Sequence, residues 1–92
     1  MKLRLGEVYL SRGVNDRIAE DQDFAEFVLH SLKRHLNGDW GELSDEDKKE
    51  NDLSLVEGFR ILSAYRHKDG TKIWIITEAD RFTTTILFPE EY

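Results

Sequence analysis

A chain of 92 residues bounds one domain with a single modest core, and a hydrophobic content of 39% with 11% aromatics excludes a disordered polymer. No apolar run approaches the roughly eighteen residues that a membrane helix needs, and the absence of cysteine excludes disulfides, thiolate metal sites and a cysteine nucleophile. Net charge is −6 and unevenly placed, at +2 over residues 1–14, −8 over residues 15–57 and zero over residues 58–92. No basic patch is present to meet a phosphate backbone. That layout argues against direct nucleic-acid binding. It suits an ordinary soluble acidic surface, or, as the sharper reading, attraction to a basic protein surface. The segment Met1–Glu7 lacks the apolar stretch of a signal peptide, so the expected address is the cytoplasm.

In chain order, Val8, Tyr9 and Leu10 suit a short strand stopped by Ser11-Arg12-Gly13. Val14, Ile18 and Ala19 suit a helix of about two turns. Phe24, Phe27, Val28, Ser31, Leu32 and His35 then fall on one face of a longer helix, with Asp23 as its cap, Glu26 closing a capping box and Asn37-Gly38 as its stop. Ser44, followed by Asp45, Glu46 and Asp47, starts a third and mostly charged helix that ends at Gly58.

From Phe59 to Phe88 the chain reads as a three-stranded antiparallel meander. Asp69-Gly70 is a strong signal for a two-residue type I′ turn. That turn pairs Tyr65 with Trp74 and Ala64 with Ile75, and the second hairpin pairs Ile75 with Ile86 and Trp74 with Leu87. One sheet face then carries Leu62, Ala64, Ile73, Ile75, Ile86 and Phe88 and packs on the long helix. The other presents Tyr65, Trp74 and Leu87 outward. The predicted class is α+β over 1–92: a short strand, two to three helices, and a meander seated on the long helix.

Two constellations could carry chemistry. His35 and Asp39, four residues apart beside Trp40, could serve as a base and its orienter, or as two ligands of a metal. Equally, His35 completes an apolar stripe, Asp39 suits a turn, and Trp40 suits a core plug. Glu78 and Arg81, beside Thr83, Thr84 and Thr85, could act on a phosphodiester, against the plainer reading of a turn with surface threonines. His30, His35 and His67 do not fall at metal-ligand spacing, and no motif implies a metal or any other cofactor. The tail Pro89-Glu90-Glu91-Tyr92 suits either a strand terminator or a recognition segment.

The strings His35-Leu36-Asn37-Gly38-Asp39-Trp40-Gly41, Ile73 through Arg81, and Leu87-Phe88-Pro89-Glu90-Glu91-Tyr92 resemble those of short bacterial "plasmid-related" proteins carried on mobile elements. The resemblance covers roughly residues 28–92. It implies an accessory role and assigns no activity to any residue. The expected function is therefore a non-enzymatic interaction module, with inhibition of a host nucleic-acid enzyme as a special case. Its docking residues would be Trp40, Tyr65, Trp74, Leu87, Asp45, Glu46 and Asp47. A small toxin-like ribonuclease using the end of the sheet is the alternative, and either a monomer or a homodimer built through the outer sheet face fits the pattern.

Overall fold

The computed structural model describes residues 3–92; Met1 and Lys2, which entered the N-terminal charge and leader reading, lie outside the described residues. The elements are β1 (Glu7–Leu10), α1 (Arg12–Glu20), α2 (Gln22–Leu36), α3 (Asp45–Glu57), β2 (Ile61–Arg66), β3 (Lys72–Thr77), β4 (Thr83–Leu87) and a closing 3-10 turn (Pro89–Glu91). The α+β class holds. The sheet is mixed, in the order β1-β4-β3-β2, because β1 joins the meander parallel to β4. No helix among the described residues is long and apolar enough to cross a membrane.

Each helix starts on a side-chain cap. Ser11 accepts from the Val14 amide at 3.2 Å, and Ser44 accepts from Asp47 at 3.1 Å. The cap of α2 is Asp21, which accepts from Phe24 at 3.1 Å, and not Asp23. Asp23 instead faces the first hairpin, 3.0 Å from Lys68 and 3.2 Å from His67.

That hairpin does not turn on two residues. His67 donates to Thr71 at 2.8 Å and Gly70 donates back to His67 at 2.8 Å, which leaves Lys68, Asp69 and Gly70 in the loop. A type I′ turn needs positive φ at both central positions, and only Gly70, at +94°, supplies it. Asp69 instead bends over its own backbone to accept from the Thr71 amide at 2.8 Å, and Arg17 of α1 reaches it from outside. The extra loop residue slips β2 by one position. Ala64 lies opposite Trp74 and Tyr65 opposite Ile73, while the predicted β3–β4 pairs, Ile75 with Ile86 and Trp74 with Leu87, are present.

A slip of one residue exchanges the faces of a strand. Ile61, Ser63 and Tyr65 therefore turn to the sheet face that seats α2, and Leu62 and Ala64 turn to the other. Tyr65 is fully buried against Phe24, Val28, Ile73, Ile75 and Ile86, with the partly buried Phe27 and Leu32 beside them. A second cluster of Leu3, Trp40 and Ile61 lies toward α3. On β2, Ser63 sits between these two clusters and begins a polar seam.

The two sheet edges are finished differently. On β2, Ala64 donates to the Trp40 carbonyl at 3.2 Å and accepts from Glu42 at 2.7 Å. Asn51 of α3 covers the next stretch, its amide donating to the Leu62 carbonyl at 2.8 Å while its side-chain oxygen faces the Leu62 amide at 3.4 Å. On β1 the outer side has no backbone partner among the described residues.

Candidate functional site

His35 and Asp39 do not form a pair. The His35 ring is fully buried, with Nδ1 against Ser63 Oγ and Nε2 2.8 Å from Thr77 Oγ1. Thr77 continues to Thr84 at 2.7 Å, and Thr84 donates to the Leu5 carbonyl at 2.7 Å. The carbonyl can only accept, and this fixes every proton upstream. Thr84 gives its proton to Leu5, so Thr77 gives its own to Thr84 and must accept from His35 Nε2–H. Nδ1 is then the acceptor for Ser63. The chain runs one way, through a neutral Nε2–H imidazole. Burial, with the Arg81 charge as the second cause, pushes the pKa of His35 down to about 4.

Asp39 is held by Arg34, which donates from Nε at 2.7 Å and from Nη2 at 3.1 Å. The same guanidinium lies 4.9 Å over the Tyr65 ring, and the Tyr65 hydroxyl donates to the Asp39 carbonyl at 2.6 Å. The hydrogen bond from Arg34 keeps the Asp39 carboxyl below its ordinary range. Trp40 is buried at 3% exposure, its ring 5.8 Å from His35 and its Nε1 donating to Asp52 at 2.9 Å. This trio packs the α2–β2 crossing and opens no cleft. Trp40 and Tyr65, both expected as docking residues, are core residues instead: Trp40 because its loop is bonded to β2, Tyr65 because of the register slip.

Glu78 and Arg81 are also separated by their duties. Glu78 lies 3.8 Å from Arg60. Arg81, at φ +63°, donates to the carbonyls of Phe59 at 2.7 Å, Glu78 at 3.0 Å and Ser54 at 2.8 Å. Helix α3 has no basic residue in its last turn, so Arg81 supplies the cation its C-terminal carbonyls favour. Of the three threonines, Thr84 belongs to the buried chain. Arg81→Gly keeps the left-handed backbone and removes only the side chain. In urea it should lose about 2 kcal/mol of stability, the scale of charged hydrogen bonds in part-exposed surroundings. Arg81→Ala should lose about 1 kcal/mol more, from the backbone penalty. Two variants as stable as wild type would show that Arg81 holds nothing.

Trp74 and Leu87 remain on the outer sheet face as expected, Trp74 half-buried and Leu87 buried. The tail folds over that face. Tyr92 meets Trp74 edge-on at 5.7 Å, and Arg60 lies 5.3 Å from the Tyr92 ring. Glu91 turns back to accept from the Gly13 amide at 2.9 Å and from Ser11, tying the tail to the β1–α1 corner.

What the fold does open is a groove between α3 and the β2 edge. It is about 240 Å³ in volume and is lined by Leu43, Asp47, Glu50, Asn51 and Leu62. Pockets for drug-sized ligands run to roughly 300–1,000 Å³, so this one suits a single side chain. Leu43 and Leu62 make an aliphatic floor. Asp47 and Glu50 stand on the rim, and neither carboxylate has an ion-pair partner among the described residues. Of the three acids expected to dock, all are exposed and only Asp47 reaches the groove. The sequence held a signal for the rest: Leu43, Asp47, Glu50, Asn51 and Ser54 fall at helical spacing, but most are polar and a search for hydrophobic periodicity passes over them. Comparison with family models, with curated proteins and with solved structures found no match.

Proposed function

We propose that this chain is a non-enzymatic protein-binding module whose groove between α3 and β2 receives a lysine or arginine side chain from a basic partner. The groove carries the reading: an aliphatic floor for the alkyl stem, ending between two carboxylates that pair with no cation among the described residues. Around it α3 adds long-range attraction, with six acids against two lysines. The accessory role implied by the plasmid-related resemblance fits such a binder. A host nucleic-acid enzyme, whose substrate channel is basic, is the proposed partner, with the acids of α3 standing in for phosphates. The ribonuclease reading has less support, because His35, Asp39, Glu78 and Arg81 are each engaged elsewhere.

Titration with an oligolysine peptide, followed by amide and methyl NMR, tests this directly. Leu43, Asn51 and Leu62 should shift together, and the shifts should fade as salt is raised. Asp47→Asn combined with Glu50→Gln should weaken binding about tenfold. Shifts spread evenly over every acidic residue, or unchanged by the double substitution, would leave the groove without a role.

A further inference from the structure

The exposed edge of the sheet points to a second surface, independent of the groove. We propose that β1 is a self-association edge: two copies of this chain pair β1 to β1, antiparallel about a two-fold axis, and join their four-stranded sheets into one.

The backbone sets the register. Glu7 donates to the Phe82 carbonyl at 2.9 Å and Ser11 to the Ile86 carbonyl at 2.8 Å, so these residues, and Tyr9 between them, direct their polar groups at β4. The alternation of a strand leaves the N–H and C=O of Val8 and Leu10 facing outward. Pairing centred on Tyr9 sets Val8 of each copy opposite Leu10 of the other, and both outward residues exchange their bonds. Centring on Val8 would bring in Gly6, whose φ of +66° is not that of a strand. Centring on Leu10 would bring in Arg12, which already belongs to α1.

Side chains agree with that register. Val8, Tyr9 and Leu10 are 40%, 49% and 38% exposed, an apolar row along an edge without proline. The charge of the strand, Glu7, lies at its start and is engaged by the Tyr9 hydroxyl on the face away from Val8 and Leu10. In the Tyr9-centred pair, Val8 and Leu10 form one aliphatic row on the helix side of the joined sheet. The two Tyr9 rings meet on the other side. The strand is also held ready, since Ser11 and Gly13 at its end are bonded to Glu91.

A second copy is the occupant the rest of the molecule favours. The opposite edge is closed by Trp40, Glu42 and Asn51, so among the described residues β1 is the one open edge and association stops at two. Charge points the same way. The acids of α3 lie at β2, the far end of the order β1-β4-β3-β2, so pairing at β1 keeps the two acidic helices as far apart as the sheet allows.

A four-residue edge makes a weak dimer. Sedimentation equilibrium from about 10 µM to about 1 mM, where small interfaces dissociate, should show the mass rise from 10.8 kDa toward twice that value. Hydrogen exchange identifies the surface without any substitution. The Val8 and Leu10 amides should gain protection as concentration rises, whereas Glu7, Tyr9 and Ser11 should be protected throughout. Val8→Lys puts a charge into the apolar row and should weaken the dimer by about a hundredfold. A mass fixed at 10.8 kDa overturns the proposal. So does a dimer in which the Val8 and Leu10 amides exchange as fast as in dilute solution, or one that a folded Val8→Lys variant leaves intact. If Val8→Lys does not fold, exchange of the unaltered protein decides.

Discussion

Lowering the pH from about 7.5 to about 4.5 should remove on the order of 3 kcal/mol of stability through His35 alone. In the folded protein the ring titrates at about 4, against 6.5 when unfolded. Between those values the unfolded chain binds a proton that the native state refuses, so stability rises with pH across the window. The contribution is complete above the unfolded value and is lost as pH falls toward the folded one. The cause is geometric as well as dielectric. A proton on Nδ1 would have to displace the one that Ser63 donates there, and the Thr77–Thr84–Leu5 carbonyl sequence leaves no slack on the other side. Urea midpoints at several pH values should therefore slope steeply for the wild type and much less for His35→Gln, which cannot titrate. Asp23, Asp39 and Asp69, all held below their ordinary range by hydrogen bonds from Lys68, Arg34 and Arg17 respectively, lose their contributions only at lower pH. Parallel slopes for the two proteins would show that His35 titrates freely and that the polar seam is open to water.

The same residue shows how far a sequence can be read. His35 fell on the apolar stripe of α2, and periodicity placed it correctly on the inward face with Phe24, Val28 and Ser31. Its partners were only half legible: Thr77 shares the inward face of Ile73 and Ile75 in either register, but Ser63 reaches the ring only because β2 has slipped one position from the register that Asp69-Gly70 suggested. The carboxylate of that turn is also held by Arg17, 52 residues before Asp69, and no local turn rule contains such a contact. Strand β1 was similarly half-readable. Val8, Tyr9 and Leu10 announce a strand, but nothing in three residues says that it runs parallel beside β4, and this placement makes it an edge. The acidic character of α3 was plain from composition. Its groove was not, since Leu43 and Leu62 meet only because the loop through Gly41 lies along β2.

Gly41→Ala should be among the most damaging small substitutions in the chain, at about 4 kcal/mol, the upper end of what single changes cost. Gly41 sits at φ +74° and forms a parallel bridge with Ala64. A Cβ there would stand 2.0 Å from the Ala64 carbonyl oxygen and 2.7 Å from the Tyr65 ring. Neither neighbour can retreat, because that oxygen accepts from Glu42 and the ring is core. The loop must lift instead, which breaks both bonds to Ala64 and draws Trp40 out of its cluster with Leu3 and Ile61. Gly58→Ala separates the causes. Gly58 has nearly the same φ, +81°, with no atom within 4 Å of the added carbon, so it should cost only the backbone penalty of about 1 kcal/mol. Equal losses in urea for the two variants would show that the loop is not seated on the strand. A larger loss at Gly41 carries a further consequence for assembly. With the Ala64 stretch of β2 uncovered, each molecule gains a second open edge segment besides β1, so association at β1 no longer closes at a dimer. Light scattering of Gly41→Ala should then grow with concentration where the wild type levels off, and Val8→Lys added to the same chain should suppress that growth.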